Sequence, residues 1–281
     1  MTAEGAFRTG SGEPLVLIHG FSCVPQVWRP IVGELEGSFD VLTVALAGHA
    51  GGAALAEGVQ ASVPALADAV ERDMDAAGFQ SAHIAGNSLG GWIALELANR
   101  GRARSVVALS PAGGWERDTA QERRLKALFR RNRVISERML PYMHGLLSRP
   151  RLRRAALSGP MARADRISPS EALALVEGAV KCPIYFDLMD AIERDGPPSG
   201  FPHIACPVLL AWGTRDRILP AKGYAQRMRN LVPSAYWMDL PGLGHMPMGD
   251  DPPLIAQLIA DFASQARHGG HEHEMVAQAL A

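Results

Sequence analysis

Ala85-Gly86-Asn87-Ser88-Leu89-Gly90-Gly91 sets a serine inside G-x-S-x-G, and its flanks decide how the run folds. Upstream, Ser81-Ala82-His83-Ile84-Ala85 is short, partly apolar and ends at a glycine, which predicts a buried strand. Downstream, Trp92, Ile93, Leu95, Leu97 and Ala98 predict an apolar helix that runs out near Asn99-Arg100-Gly101. A five-residue match is common by chance; the strand before it and the helix after it give it weight. A serine on so sharp a strand-to-helix turn is held in a strained conformation with its hydroxyl presented. Gly86 and Gly90 leave room for the close backbone approach that the turn requires. The run reads as a candidate nucleophile elbow, against the plainer reading of a small residue filling a turn.

Strand signatures recur outward from this run. Pro-Leu-Val-Leu-Ile at 14–18, then residues 39–46, 105–109, 208–212 and 235–238, are short apolar runs that read as buried strands. Between them, Val63, Leu66, Ala67, Val70 and Met74 repeat at helical spacing, as do Leu254, Ile255, Leu258, Ile259 and Phe262. This alternation predicts an α/β fold with a mostly parallel central sheet and helices on both faces. It breaks between about Trp115 and Pro202, where helical patterns continue without a convincing strand. The expected organisation is a core of residues 1–114 and 203–266, a helical cap inserted over 115–202, and a disordered tail at 267–281. Residues 117–166 hold 14 Lys/Arg against 4 Asp/Glu, and 167–200 reverse the balance to 2 against 6. A solvated helix surface accounts for the arginines; a basic rim attracting anionic substrates or lipid headgroups is the sharper alternative. In the tail, His268, His271 and His273 lack a rigid framework, so any metal binding there is adventitious.

Composition narrows the function classes. The chain has 281 residues, 47% hydrophobic and 20% charged, with a net charge of -1, so no overall field argues for a nucleic-acid partner. No basic start followed by an apolar run marks a secretory signal, and no stretch approaches the roughly 20 apolar residues of a membrane span. Cys23, Cys182 and Cys206 are widely spaced and odd in number, which suits a reducing cytoplasm and offers no zinc spacing. Nothing in the sequence fixes an oligomeric state.

A serine hydroxyl is a poor nucleophile near neutrality and needs a base, which in turn needs an orienting group. Two further loops supply them in order. Asp216 follows the strand at 208–212 in Gly213-Thr-Arg-Asp216, and His245 follows the strand at 235–238 in Gly242-Leu-Gly-His245-Met-Pro247. Ligand sites in open α/β sheets gather at the carboxyl ends of strands, where all three residues would meet. Asp187, Asp190 and Asp195 are rival acids, but none follows a strand.

With His19-Gly20-Phe21-Ser22, these motifs resemble those of the α/β-hydrolase fold superfamily, in the group of serine hydrolases with a helical cap, over about residues 14–262. The resemblance implies Ser88 as nucleophile, His245 as general acid and base, Asp216 as its orienter, and the backbone N–H groups of Phe21 and Leu89 as the oxyanion hole. It implies hydrolysis of a carboxylic ester or thioester through an acyl-enzyme, with no metal or organic cofactor because the mechanism is complete without one. Carbon–carbon bond hydrolysis of the meta-cleavage type, a perhydrolase side activity, and a non-catalytic binding protein are the alternatives. Serine at the nucleophile position argues against the dehalogenase and epoxide-hydrolase branches, which place aspartate there. The Gly-Asn-Ser spelling at Asn87 is shared by esterases and carbon–carbon hydrolases and does not separate them. Relatives often carry an acidic residue and a proline where this chain has Ala45 and Ala47, which bears on loop rigidity. His19 is expected to hold the oxyanion loop, His49 to be structural, His83 to be a satisfied core residue and Cys23 to be an inert packed thiol. The expected substrate is a small hydrophobic acyl compound. Met139, Leu140, Tyr142, Met143, Leu146, Leu147, Ile184, Tyr185, Phe186 and Met189 are apolar cap residues that either line its pocket or pack the cap on itself.

Overall fold

A computed structural model of the chain describes residues 5–267, so His268, His271 and His273 lie outside the described residues. The apolar runs form strands β1 (Phe7–Thr9), β2 (Glu13–Ile18), β3 (Phe39–Val44), β4 (Ala82–Asn87), β5 (Ala103–Leu109), β6 (Val208–Gly213) and β7 (Tyr236–Leu240). They build one seven-stranded sheet in the order β1-β3-β2-β4-β5-β6-β7. β1 pairs antiparallel with β3, and every other pairing is parallel. Only β1 has no counterpart in the apolar runs of the sequence: it is a three-residue Phe-Arg-Thr edge strand with partly exposed side chains, too short to show a period.

The helices among the described residues are α1 (Arg29–Leu35), α2 (Val63–Ala76), α3 (Leu89–Asn99), α4 (Ala120–Leu147), α5 (Pro150–Ala156), α6 (Pro169–Val180), α7 (Tyr185–Asp195), α8 (Ala221–Leu231), α9 (Pro247–Asp250) and α10 (Pro252–Arg267). Because side chains alternate across a strand, the sheet divides its apolar residues between two cores. Val16 and Ile18 of β2 join Ile84, Val106, Leu210 and Trp212 under α2, α3 and α8. Leu15 and Leu17 join Val107, Leu109, Leu209 and Met238 under α1 and α10. Parallel strands covered on both faces must be apolar along their whole length, which is why they read as continuous runs.

The four helices α4 to α7 fall between β5 and β6 in the chain, and the charge reversal across them has a structural reason. Cations of α4 meet acids of α7, with Lys126 Nζ 3.0 Å from Glu193 Oε1 and Arg130 Nη2 2.9 Å from Asp190 Oδ1. Arg153 of α5 is buried and spends its guanidinium on the carbonyls of Leu147, Ala164 and Asp165. α4 itself starts where Thr119 Oγ1 accepts from the Glu122 N–H and Glu122 Oε2 accepts from the Asp118 N–H, satisfying donors that a helix start leaves open. Among the described residues no helix is long and apolar enough to cross a membrane. Since β4, β5, β6 and β7 are successive neighbours, the loops leaving β4, β6 and β7 lie along one edge of the sheet.

Candidate active site

Ser88 stands between β4 and α3 with φ 57° and ψ -117°, a combination that side-chain-bearing residues avoid. Three backbone bonds hold it there: the Ser88 N–H donates to Leu109 O (3.0 Å), and Ser88 O accepts from Trp92 N–H (3.1 Å) and Ala112 N–H (2.9 Å). The flanking glycines are required by contact. A Cβ on Gly86 would lie 2.1 Å from Gly90 O, and one on Gly90 would lie 2.1 Å from Ile18 O. Strain of this kind costs about 1–3 kcal/mol and persists only where the surroundings fix it.

Asp216 sits on the loop after β6 and is buried. Its Oδ1 accepts from the Ile218 N–H (2.9 Å) and the Leu219 N–H (2.8 Å), which aims Oδ2 at His245 Nδ1, 2.7 Å away. That contact makes Nδ1 the protonated nitrogen and leaves Nε2 as the acceptor. Asp187, Asp190 and Asp195 make no such contact with His245; Asp190 and Asp195 pair instead with Arg130 and Arg194. Among the described residues neither the Ser88 hydroxyl nor His245 Nε2 has a hydrogen-bond partner.

Two residues that sequence reasoning missed tie this arrangement together. Asn87 Nδ2 donates to His245 O (2.7 Å) and to Leu109 O (3.0 Å), joining the Ser88 turn to the histidine loop. Asp250 of α9 is fully buried and its carboxylate accepts three backbone N–H groups, from Gly244 (2.6 Å), Ala162 (3.0 Å) and Arg163 (2.7 Å). The Met246 N–H adds a bond to Pro160 O (2.9 Å), so the loop carrying His245 is fastened to the segment between α5 and α6. A buried carboxylate with no cationic neighbour on its own helix leaves only the apolar setting of Pro247-Met-Gly-Asp250 as a sequence signal, and that is easily passed over.

The loop after β2 approaches from the other side. A Cβ on Gly20 would lie 3.2 Å from Ser88 Cβ, and the Cys23 N–H closes a turn onto Gly20 O (3.2 Å). His19 anchors it: Nδ1 donates to Gly20 O (2.9 Å) while Nε2 accepts from the Leu46 N–H (3.1 Å). Burial, then the nearby His49 ring, pushes the His19 imidazole down to about 3, and burial pushes His49 down to about 4, so both rings are neutral. Cys23 is buried and its thiol is pushed up to about 12 by burial. His83 lies away from Ser88, hydrogen-bonded to Ser105 Oγ (2.8 Å) and Glu13 Oε2 (2.9 Å). Among the described residues no acceptor meets the Phe21 or Leu89 N–H.

Ser88, Leu89 and Phe21 share a cavity of about 70 Å³ whose other walls are Ala112, Trp115, Glu122, Leu125, Lys126, Phe129, Met189, Ile192, Ile218 and Leu219. Of the ten apolar residues proposed from sequence as pocket lining, only Met189 belongs to it. Met139, Leu140, Met143, Leu146 and Leu147 pack on the lower core, Tyr185 and Ile184 form a small cluster with Cys182, and Tyr142 and Phe186 face solvent. The reason is the length of α4: over 28 residues, its first turns face Ser88 and its second half passes beyond it. A second cleft, of about 350 Å³, shares Ile192 with this cavity.

A family model described as the alpha/beta hydrolase family matches residues 15–258. An epoxide hydrolase, EphH, of Mycobacterium tuberculosis is 35% identical over 206 residues, 71% of this chain and 94% of its own length. A pimeloyl-acyl-carrier-protein methyl ester esterase of Xanthomonas campestris is 28% identical over 261 residues, 91% of this chain and 96% of its own. Among solved structures, a thermophilic esterase from Thermogutta terrifontis superposes with a TM-score of 0.70 at 21% identity, covering 93% of each chain.

Proposed function

The chain belongs to the alpha/beta hydrolase family, and from that premise we propose that it hydrolyses a carboxylic ester through an acyl-enzyme on Ser88. The observation that carries the reading is the His245 Nδ1–Asp216 Oδ2 contact of 2.7 Å on the loops beside the strained Ser88 turn. His245 Nε2 takes the Ser88 proton as Oγ attacks the ester carbonyl. The negative charge moves to the carbonyl oxygen, where the Phe21 and Leu89 N–H groups receive it. Collapse of this intermediate breaks the bond to the alcohol, which leaves with the proton held by His245. A water then attacks the acyl-serine, passing its proton to His245, and the second collapse returns that proton to Ser88 Oγ and frees the acid. Asp216 keeps the imidazole in the required tautomer and stabilises its protonated form. Losing one oxyanion donor would cost about 10²–10³ in rate. The helices α4 to α7 act as a cap that supplies the apolar walls around the acyl or alcohol group.

The relative named an epoxide hydrolase makes epoxide opening the competing reading. Serine chemistry weighs against it. Attack by Ser88 on an epoxide carbon would leave an ether, which has no carbonyl for water to attack, so the site would stall after one turnover. The test is hydrolysis of short p-nitrophenyl esters and of styrene oxide by wild type and by Ser88→Ala, with fluorophosphonate labelling of Ser88. Ester turnover and labelling, both lost in Ser88→Ala, are expected. Sustained epoxide turnover that survives Ser88→Ala would overturn the proposal, and a wild type that labels with nothing and hydrolyses nothing would point to a binding protein.

A further inference from the structure

The ion pairs that join α4 to α7 account for only some of the cations on these helices. Three of the four acids between residues 117 and 166 are already paired, Glu122 with Lys126, Glu137 with Arg133 and Asp165 with Arg154. The fourth, Asp118, precedes α4 and lies beside Arg123, whose Nη1 donates to the Asp118 carbonyl oxygen at 2.9 Å. Arg124, Arg131, Arg138, Arg149 and Arg151 are exposed, and among the described residues none of their side chains has an ion pair or a hydrogen bond. Three of them line one side of α4. At about 100° per residue, Arg124, Arg131, Ile135, Arg138 and Tyr142 fall within an arc of roughly 60°, opposite the buried Glu122, Met143 and Leu147 of the same helix. No acidic residue stands in that arc. Two large apolar side chains do: Ile135 is 48% exposed and Tyr142 67%. Leu152 of α5, next to Arg151, is exposed as well.

We infer that the outer face of α4, continued by α5, seats the protein on an anionic phospholipid surface. The arginines meet the headgroups, and Ile135, Tyr142 and Leu152 enter the boundary beneath them. A helix face that is merely solvated mixes charges of both signs along its length. Here a chain of net charge -1 gathers cations of one sign and leaves them without counter-charge. A guanidinium grips phosphate oxygens with two parallel hydrogen bonds, and an unpaired one breaks no ion pair to do so. Tyrosine suits the level of the headgroups, with an apolar ring and a wet hydroxyl. Basic residues interleaved with aliphatic and aromatic ones are the pattern of a helix lying in a membrane interface. A nucleic acid would answer the arginines but leave Ile135 and Leu152 in water. A second copy docked about a two-fold axis would set this line of like charges against itself. The seat stands on the outer side of α4 and does not depend on the ester reading of Ser88.

The test floats the intact chain with vesicles of phosphatidylcholine alone and of an equal mixture of phosphatidylcholine and phosphatidylglycerol. Binding to the mixed vesicles at low salt is expected, with little on phosphatidylcholine, and it should weaken as salt rises. Arg131→Gln and Arg138→Gln should each weaken partitioning about fivefold, the effect of one cation fewer at an anionic surface. Ile135→Ser combined with Tyr142→Ser should weaken it about tenfold. That double variant should keep the wild-type retention on a heparin column, because a soluble polyanion meets only the charges. All four side chains are exposed, so each variant should melt at the wild-type temperature. Failure to bind the mixed vesicles overturns the inference, as does binding that ignores Arg131 and Arg138. Vesicle binding indifferent to Ile135 and Tyr142, beside strong retention on heparin, also overturns it and assigns the face to a nucleic acid or another polyanion. A dimer in solution that the Ile135 and Tyr142 substitutions abolish, without vesicle binding, gives the face to a second copy and overturns it too. If a variant melts early, the wild-type comparison of the two vesicle types across the salt series decides alone.

Discussion

Asn87 spends both hydrogens of one amide nitrogen on two buried carbonyls, His245 O and Leu109 O, and so sets the Ser88 turn against the histidine loop. Asn87→Ala leaves both carbonyls without that donor, and a loss of about 2 kcal/mol in denaturant unfolding is expected. Because the substrate walls are untouched while His245 is freed to shift, kcat should fall roughly tenfold or more with KM little changed; a change confined to KM would refute the positioning role. His19 and His49 act at the same scale through protonation. Their rings stay neutral in the folded protein down to about 3 and about 4, whereas an unfolded histidine takes up a proton near 6.5. Below that unfolded value the denatured chain binds more protons than the native one, so stability is fullest above about pH 6.5 and falls as pH drops toward 4. Each ring contributes a slope of about 1 kcal/mol per pH unit in that window. Urea midpoints at several pH values would check this, and His49→Gln, which removes one of the two groups, should flatten the slope. An unchanged slope would mean that another group governs the acid limb.

At the scale of elements, the short helix α9 does more for the site than its length suggests. Asp250 gathers the amides of Gly244, Ala162 and Arg163, and Arg153 gathers the carbonyls of Ala164 and Asp165, so residues 162–165 are held between a buried acid and a buried base. Asp250→Ala strands three amides and is expected to cost about 3 kcal/mol or more. Asp250→Asn retains one acceptor oxygen and should recover part of both stability and activity. Full activity in Asp250→Ala would show that the histidine loop holds its place without the segment between α5 and α6. The strand-turn-helix of β4 and α3 is less forgiving. Gly86→Ala or Gly90→Ala places a methyl about 2.1 Å from a backbone oxygen that cannot move without breaking the elbow, and neither variant should yield folded protein by circular dichroism.

For the molecule as a whole, the parallel strands were legible because both their faces are buried, and the three candidate site residues because each follows such a strand. Ser88, Asp216 and His245 could thus be placed at one edge of the sheet from chain order alone. β1 was not legible, since three half-exposed edge residues carry no period. Nor was the cavity lining, which depends on where the long α4 crosses the sheet edge rather than on which of its residues are apolar. Leu125 and Phe129 line the cavity, while Met143 and Leu147, equally apolar, are buried in the core below. If Ser88 hydrolyses esters as proposed, the same crossing sets the size of group that fits beside it. A cavity of about 70 Å³ has room for several water-sized groups, which predicts an acyl-chain series with its highest kcat/KM at short chains and a steep fall beyond. Ile192 forms part of the wall shared with the cleft of about 350 Å³. Ile192→Ala removes the branched end of that side chain and should join the two spaces. The chain-length optimum should then move to longer acyl groups, while the rate on acetate esters falls as short chains lose contacts. The variant should also lose stability, by less than the roughly 2–5 kcal/mol of a fully buried Ile→Ala change, because Ile192 is only partly buried. An unchanged chain-length profile would mean that the cleft lies outside the path of the substrate, and that α4, through Leu125 and Phe129, closes the far end of the site.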